Sequence, residues 1–215
     1  MNSELNKRVL SSIIFLPIIL YVIIEGSFYF VFLIFACFVI SIYEWQKMIK
    51  NFYIKFIGIF FLILSFYTIF QFRFIFNNNY YYFLIILFIC IFTDIGGFLF
   101  GKLFKGPKLT KVSPNKTYSG MIGSYVLSIL GYYFFVIKVS NIDYIQNSLL
   151  LIFFISTISQ AGDLVISYFK RKSKIKDTGK IIPGHGGLLD RIDGMIFAFP
   201  FCYLLLFINL LNFNF

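Results

Sequence analysis

Charge is what this chain has least of. Asp, Glu, Lys and Arg make up 13% of its 215 residues, where a soluble domain carries about a quarter. With 60% hydrophobic residues, 22% aromatic and a mean hydropathy of +0.87, that deficit excludes an ordinary soluble domain. Cysteine is sparse too: Cys37, Cys90 and Cys202 each sit inside an apolar run without C-x-x-C spacing. A disulfide framework and a thiolate zinc site are therefore excluded, and the three read as small buried hydrophobes. No A-x-A-like cleavage site follows Lys7, Arg8 and the first apolar run, so that segment is expected to stay as a helix, not to be removed as a leader. The long apolar runs lack two-residue alternation, which argues against an outer-membrane barrel. There is no internal repeat and no linker long enough to separate one domain from another.

What the chain does have is apolar runs near the roughly 20 residues needed to cross a hydrocarbon core of about 30 Å. Spans are expected at 9–25, 28–45, 54–72, 80–100, 119–137, 145–169 and 192–212. The fold expected is an all-α polytopic integral membrane helical bundle of about seven transmembrane helices. The basic residues test that layout. With the N-terminus inside, all but Arg73 and Lys138 of the 19 Lys and Arg fall in inner segments. Cytoplasmic loops are where Lys and Arg accumulate, so the topology is expected to be N-in, C-out. The same bias accounts for the formal charge of +10, and no nucleic-acid partner is expected.

Against this background, residues 176–194 (KDTGKIIPGHGGLLDRIDG) gather three aspartates, an arginine, five glycines and the chain's one histidine. Two further acids, Asp94 and Asp163, lie within apolar segments, where a charge costs a few kcal/mol even on lenient scales and is usually functional. Each precedes the inner end of its helix by seven residues, ahead of Gly101 and Lys170. At about 1.5 Å per residue that places both roughly 10 Å from the end, at one level of the membrane. Asp190 and Asp193 open the last span from the same side, spaced i, i+3 on one face. Four acids from three helices can thus converge at one cytoplasm-facing pocket. Unpaired, they would repel one another and take up protons. A hard divalent cation such as Mg²⁺, held by one or two carboxylates with substrate phosphates, removes that difficulty.

Plainer readings stand beside these. Asp190 and Asp193 suit a helix cap and first-turn acid, Asp163 an interhelical hydrogen bond, Asp94 a structural anchor. Lys170, Arg171 and Lys176 stand at the inner mouth, and Lys116 with Ser113 and Thr117 just before a span. Such cations suit phosphate, Arg by bidentate contact and Lys as a point charge, whereas Lys172 and Lys174 read as topology markers. Glycines at 184, 186 and 187 let backbone N–H groups approach an anion closely. His185 is either a phosphate contact or a loop residue. The residues alone indicate metal and polyphosphate at the inner membrane surface.

From Ser167 to Asp193 the chain resembles the signature of the phosphatidate cytidylyltransferases (CDP-diacylglycerol synthases): S-x-x-K-R, K-D-x-G, then P-G-H-G-G-x-x-D-R-x-D. QAGDL (160–164), DIGGFLFGK (94–102), SPNKT (113–117) and YEW (43–45) resemble further stretches of that pattern. It departs in two places. Ser119 stands where the family usually has Glu, which removes a carboxylate beside the site, and fewer spans fall between residues 49 and 93 than family members commonly carry.

The resemblance implies transfer of CMP from CTP to phosphatidate, giving CDP-diacylglycerol and pyrophosphate in phospholipid biosynthesis. It implies an enzyme of the bacterial cytoplasmic (inner) membrane whose site faces the cytoplasm. Catalytic roles would fall to Asp163, Asp190, Asp193, Lys170 and Arg171. The three aspartates would be ligands of Mg²⁺, with a second, monovalent or divalent, cation beside it. Phosphate would be held by Lys116, Lys176, Arg191, Ser167, His185, Gly186, Gly187, Ser113 and Thr117, with Asp94 and Asp177 behind the metal ligands. Residues 1–75 would be accessory scaffold helices and 76–215 the catalytic region, within one membrane domain. A homodimer is expected by analogy alone. The alternatives are a cytidylyltransferase for another lipid phosphate, a degenerate homologue of low activity given Ser119, and an ion-coupled transporter. The missing repeat and the acids' lean to one face oppose the last. A CDP-alcohol phosphotransferase is excluded, since DGMIFAFP (193–200) lacks the Ala-Arg and later acids of that class.

Overall fold

The computed structural model describes residues 17–74, 80–110, 113–138, 148–181 and 186–208. They form α1 (residues 17–25), α2 (Ser27–Met48), α3 (Phe52–Phe74), α4 (Tyr80–Phe104), α5 (Tyr118–Lys138), α6 (Ser148–Lys172), the short α7 (Leu189–Ile192) and α8 (Met195–Phe207). Among the described residues the one extended pairing is an isolated bridge between Lys108 and Thr117. The fold is all-α, and five helices, α2 to α6, are long and apolar enough to cross a membrane. The chain is an integral membrane protein. Phe28, Phe32 and Phe35 of α2 and Phe52, Phe56 and Phe60 of α3 remain exposed, as suits faces that lipid tails solvate as well as protein does.

Local chemistry sets the boundaries. α1 breaks from α2 at Gly26, whose φ of +67° favours glycine. The Arg73 guanidinium lies where a Cβ on Gly26 would collide. It donates Nε to the Ile23 carbonyl at 2.8 Å and Nη2 to the Ile24 carbonyl at 3.1 Å, filling acceptors that a helix end leaves open. A basic residue expected on the outer side is thus used in construction. Asn51 caps α3, its side-chain oxygen accepting the N–H groups of Tyr53 and Ile54 at 3.0 and 3.3 Å. α6 runs to Lys172, three residues beyond the expected end at 169, because Lys170, Arg171 and Lys172 suit the negative end of a helix. The last expected span, 192–212, is not entered as one helix: α7 stops at Ile192, and Asp193-Gly194 lead into α8. Residues 9–16, 145–147 and 209–212 of the expected spans lie outside the described residues.

Small residues let α4 and α5 pack backbone to backbone. A Cβ on Gly120 would sit 2.7 Å from the Gly97 carbonyl, and one on Gly96 would strike the Gly123 carbonyl. Hydroxyls bind the three central helices together. Ser124 Oγ donates to the Thr93 carbonyl at 2.7 Å, Thr93 Oγ1 to Ser156 Oγ at 3.0 Å, and Tyr125 Oη lies 3.0 Å from Thr157 Oγ1. α3 and α6 both pack on α8, with Phe72 and Phe83 against Phe199. Among the described residues, α3 packs directly on α4 and α8. The last turns of α2, α4 and α6 meet the first turns of α5 and α7 at one end of the bundle.

Candidate active site

α6 presents Asp163 to that end. Its Oδ2 pairs with Lys116 Nζ at 2.5 Å and its Oδ1 accepts Ser167 Oγ, one turn on, at 3.2 Å. Lys116 arrives there because Thr117 caps α5, its Oγ1 accepting the Gly120 N–H at 3.1 Å. Asp193, 6% exposed, lies close enough to Asp163 and Asp94 to feel their charges. The charges of Asp163, Lys116 and Arg191 in turn act on Asp94. Asp94, Lys116, Asp163, Ser167, Arg191 and Asp193, all expected at the site, thus gather from α4, α6, the start of α5 and the α7–α8 junction. The close approach of α6 and α8 depends on Gly162, where a Cβ would lie 2.5 Å from the Phe197 ring and 2.8 Å from the Asp193 carbonyl.

Asp190 faces a different set of partners. Oδ1 pairs with Lys170 Nζ at 2.8 Å. Oδ2 accepts Thr178 N–H at 2.8 Å, Thr178 Oγ1 at 3.1 Å and Gly187 N–H at 3.1 Å. Burial alone would push the Asp190 pKa up. The hydrogen bond and charge of Lys170, with the N–H groups of Thr178 and Gly187, outweigh it and hold the carboxyl below its usual range. Lys170 also lies near enough to Asp193 to offset some of its burial, so the two acid groups adjoin across one lysine.

Several expected phosphate contacts are spent within the protein. The Gly187 N–H goes to Asp190, and the Thr117 hydroxyl to the α5 cap and to Ser119 Oγ at 3.0 Å. Ser113 forms a turn, its carbonyl accepting the Lys116 N–H at 3.0 Å. Ser167 serves Asp163. Gly186 takes φ +86° with Asp177 and Asp190 packed beside it. Arg171, Lys176 and Asp177 are exposed, and among the described residues no ion pair joins them to the acids. Arg191 is exposed but near Asp94. His185 lies outside the described residues. Ser119, in place of a carboxylate, accepts the Gly106 N–H at 3.2 Å and so closes the loop between α4 and α5.

Glu44 of α2, in the YEW stretch (43–45) that resembles the family pattern, is not among the expected site residues. It is 1% exposed and reaches the same loop, accepting Thr178 Oγ1 and Leu189 N–H at 2.8 Å on Oε2 and Leu188 N–H at 3.0 Å on Oε1. That stretch is the available signal; an acid at the end of an apolar run adds little, because a charge is cheap near the membrane surface.

Among the described residues, no group of three or more His, Cys, Asp or Glu side chains is placed to hold a metal ion. The expected trio of aspartates is not assembled, because Asp190 turns to Lys170 and the loop. The remaining pair still fits a hard cation. Asp163 and Asp193 place two carboxylates near each other at a partly buried place, and Mg²⁺ is commonly held by one or two carboxylates with substrate phosphates.

Comparison with known proteins fits this arrangement. The model of the Cytidylyltransferase family matches residues 52–209. The protein named phosphatidate cytidylyltransferase in Helicobacter pylori strain 26695 is 43% identical over 114 residues, covering 53% of this chain and 42% of its own length. The protein of that name in Bacillus subtilis strain 168 is 42% identical over 126 residues, 56% of this chain and 46% of its own. That of Rickettsia typhi is 42% identical over 124 residues, 54% of each. The chain spans about half the length of the curated relatives it matches.

Proposed function

Since the chain belongs to the Cytidylyltransferase family, we propose that it transfers CMP from CTP to phosphatidate, yielding CDP-diacylglycerol and pyrophosphate. A phosphate oxygen of phosphatidate attacks the α-phosphorus of CTP, the bond from that phosphorus to the oxygen bridging the α- and β-phosphates breaks, and pyrophosphate leaves. The attacking oxygen is already ionised at neutral pH, so the protein need not supply a base. The barrier lies in bringing two anions together in line. The observation that carries the reading is the two lysine–carboxylate pairs, Lys116 with Asp163 and Lys170 with Asp190, with Asp193 buried beside them at one end of a membrane bundle.

Each group has a task. Lys116 and Lys170, paired with carboxylates here, would turn to phosphate oxygens of the two substrates, and Arg191 would add charge from the α7–α8 side. Asp163 and Asp193 would hold Mg²⁺, with Asp190 adjoining, and a bound cation there would neutralise charge on the phosphates. Ser167 fixes the Asp163 carboxylate for that task. The acyl chains of phosphatidate stay in the bilayer beside the exposed apolar faces. CTP enters from the cytoplasm, which requires an N-in orientation in the inner membrane of a bacterium.

The test uses the purified full chain in lipid nanodiscs containing phosphatidate, with labelled CTP. CDP-diacylglycerol should form in the presence of Mg²⁺, stop on chelation and resume when Mg²⁺ is restored. Absence of labelled lipid at every Mg²⁺ concentration overturns the proposal.

A further inference from the structure

We propose that Glu44 is a positioning residue of this site, fixing from α2 the loop and helix start that carry Asp190. The catalytic consequence rests on the reading above; the geometry does not. Burying a carboxylate costs several kcal/mol unless it is well compensated. Glu44 is 1% exposed, and among the described residues no Lys or Arg pairs with it. Its charge is answered by three donors, all on the signature segment: Thr178 Oγ1, Leu188 N–H and Leu189 N–H.

The loop is shaped around this carboxylate. A Cβ on Gly187 would lie 2.6 Å from Oε2, and one on Gly179 would strike Oε1. α7 is a single turn, too short to hold itself together. Its opening N–H groups need an acceptor, and Leu188 at the cap has no side-chain oxygen to offer. Glu44 supplies it from 145 residues away in sequence, directly before Asp190.

Thr178 completes the connection. Its hydroxyl lies 2.8 Å from Glu44 Oε2 and 3.1 Å from Asp190 Oδ2, yet it has one proton to give. Glu44, at the shorter distance, draws that proton. Asp190 then rests on the two backbone N–H groups and Lys170, and the Lys170–Asp190 pair is placed by a residue that touches neither.

The experiment reads turnover and backbone hydrogen exchange together in the purified full chain, for Glu44→Gln, Thr178→Val, their combination and Thr178→Ser. Glu44→Gln keeps the shape but offers an N–H₂ where only acceptors fit. It should lower kcat about 10–100-fold, the scale of losing a supporting hydrogen-bond partner, with KM for CTP little changed. The double variant should be no worse than the poorer single one, as for members of one network. Thr178→Ser, which keeps the hydroxyl, should recover most of what Thr178→Val loses. Exchange should quicken across 176–194 in Glu44→Gln and not in α3 or α5. Normal kcat in Glu44→Gln, or a fall without quicker exchange there, overturns the proposal. If the unaltered chain makes no CDP-diacylglycerol, the functional reading has failed and exchange alone decides the positioning. Should Glu44→Gln not fold, Gly179→Ala displaces the carboxylate without removing it, and the same exchange change is required.

Discussion

Asp190 and Asp193 lie three residues apart, yet Lys170 and two backbone N–H groups answer the first while the second lies near another carboxylate. Their amide variants should therefore differ. Asp190→Asn can keep its oxygen on Thr178 and Gly187, but then sets N–H₂ against Lys170 Nζ, two donors face to face. Turnover should fall about 10–100-fold while the loop stays ordered, checked by initial rates and by proteolysis of 176–190. Asp193→Asn instead removes a buried acid that lies near Asp163 and Asp94. Without added metal its thermal unfolding should be no lower than that of the unaltered chain. With Mg²⁺ at a hundred times its dissociation constant, the unaltered chain should gain about 2.7 kcal/mol; Asp193→Asn should lose most of that gain. An equal Mg²⁺ response in both would remove Asp193 from the metal site.

At the scale of elements, the break between α1 and α2 and the level shared by Asp94 and Asp163 are legible in the sequence, because lipid punishes misplaced charge and breaks in an apolar run. Three things are not. The basic end of α6 looks like loop, since hydropathy falls at the first lysine although the helix continues. The α7–α8 junction looks like one helix face, since spacing in sequence does not say where Asp190 will find donors. Glu44 is marked by the YEW stretch, but its role is not, because its partners lie more than 130 residues away. Gly186 and Gly187 suggest anion binding in the sequence, but the anion that the Gly187 N–H meets is Asp190, and other glycines serve helix approach. Gly162→Ala should separate Asp193 from Asp163, because the ring of Phe197 can shift but the Asp193 carbonyl cannot. Gly131→Ala meets the Phe92 ring on α4 instead, far along α5 from Lys116. Both should cost about 1–3 kcal/mol of stability, measured by unfolding in micelles. Only Gly162→Ala should also lower turnover per folded molecule; equal turnover in both would detach the α6–α8 contact from the chemistry.

For the whole molecule, function depends on which end of the bundle meets the cytoplasm. The site end collects Lys116, Lys170, Arg171, Lys172 and Arg191, while Glu25 marks the far end, where α1 gives way to α2. Positive residues stay on the cytoplasmic side. CTP, a polyanion confined to the cytosol, could not reach a site on the other face, so orientation and function stand together. The native thiols leave a clean background for labelling: Cys90 and Cys202 are buried and Cys37 is half-buried. Lys172 and Glu25 are both exposed and outside the proposed chemistry. In spheroplasts treated with a membrane-impermeant maleimide, Glu25→Cys should label at once and Lys172→Cys only after the membrane is opened. The opposite order would put the acids and lysines on the face that CTP cannot reach, and the cytidylyl-transfer reading would fall with the orientation.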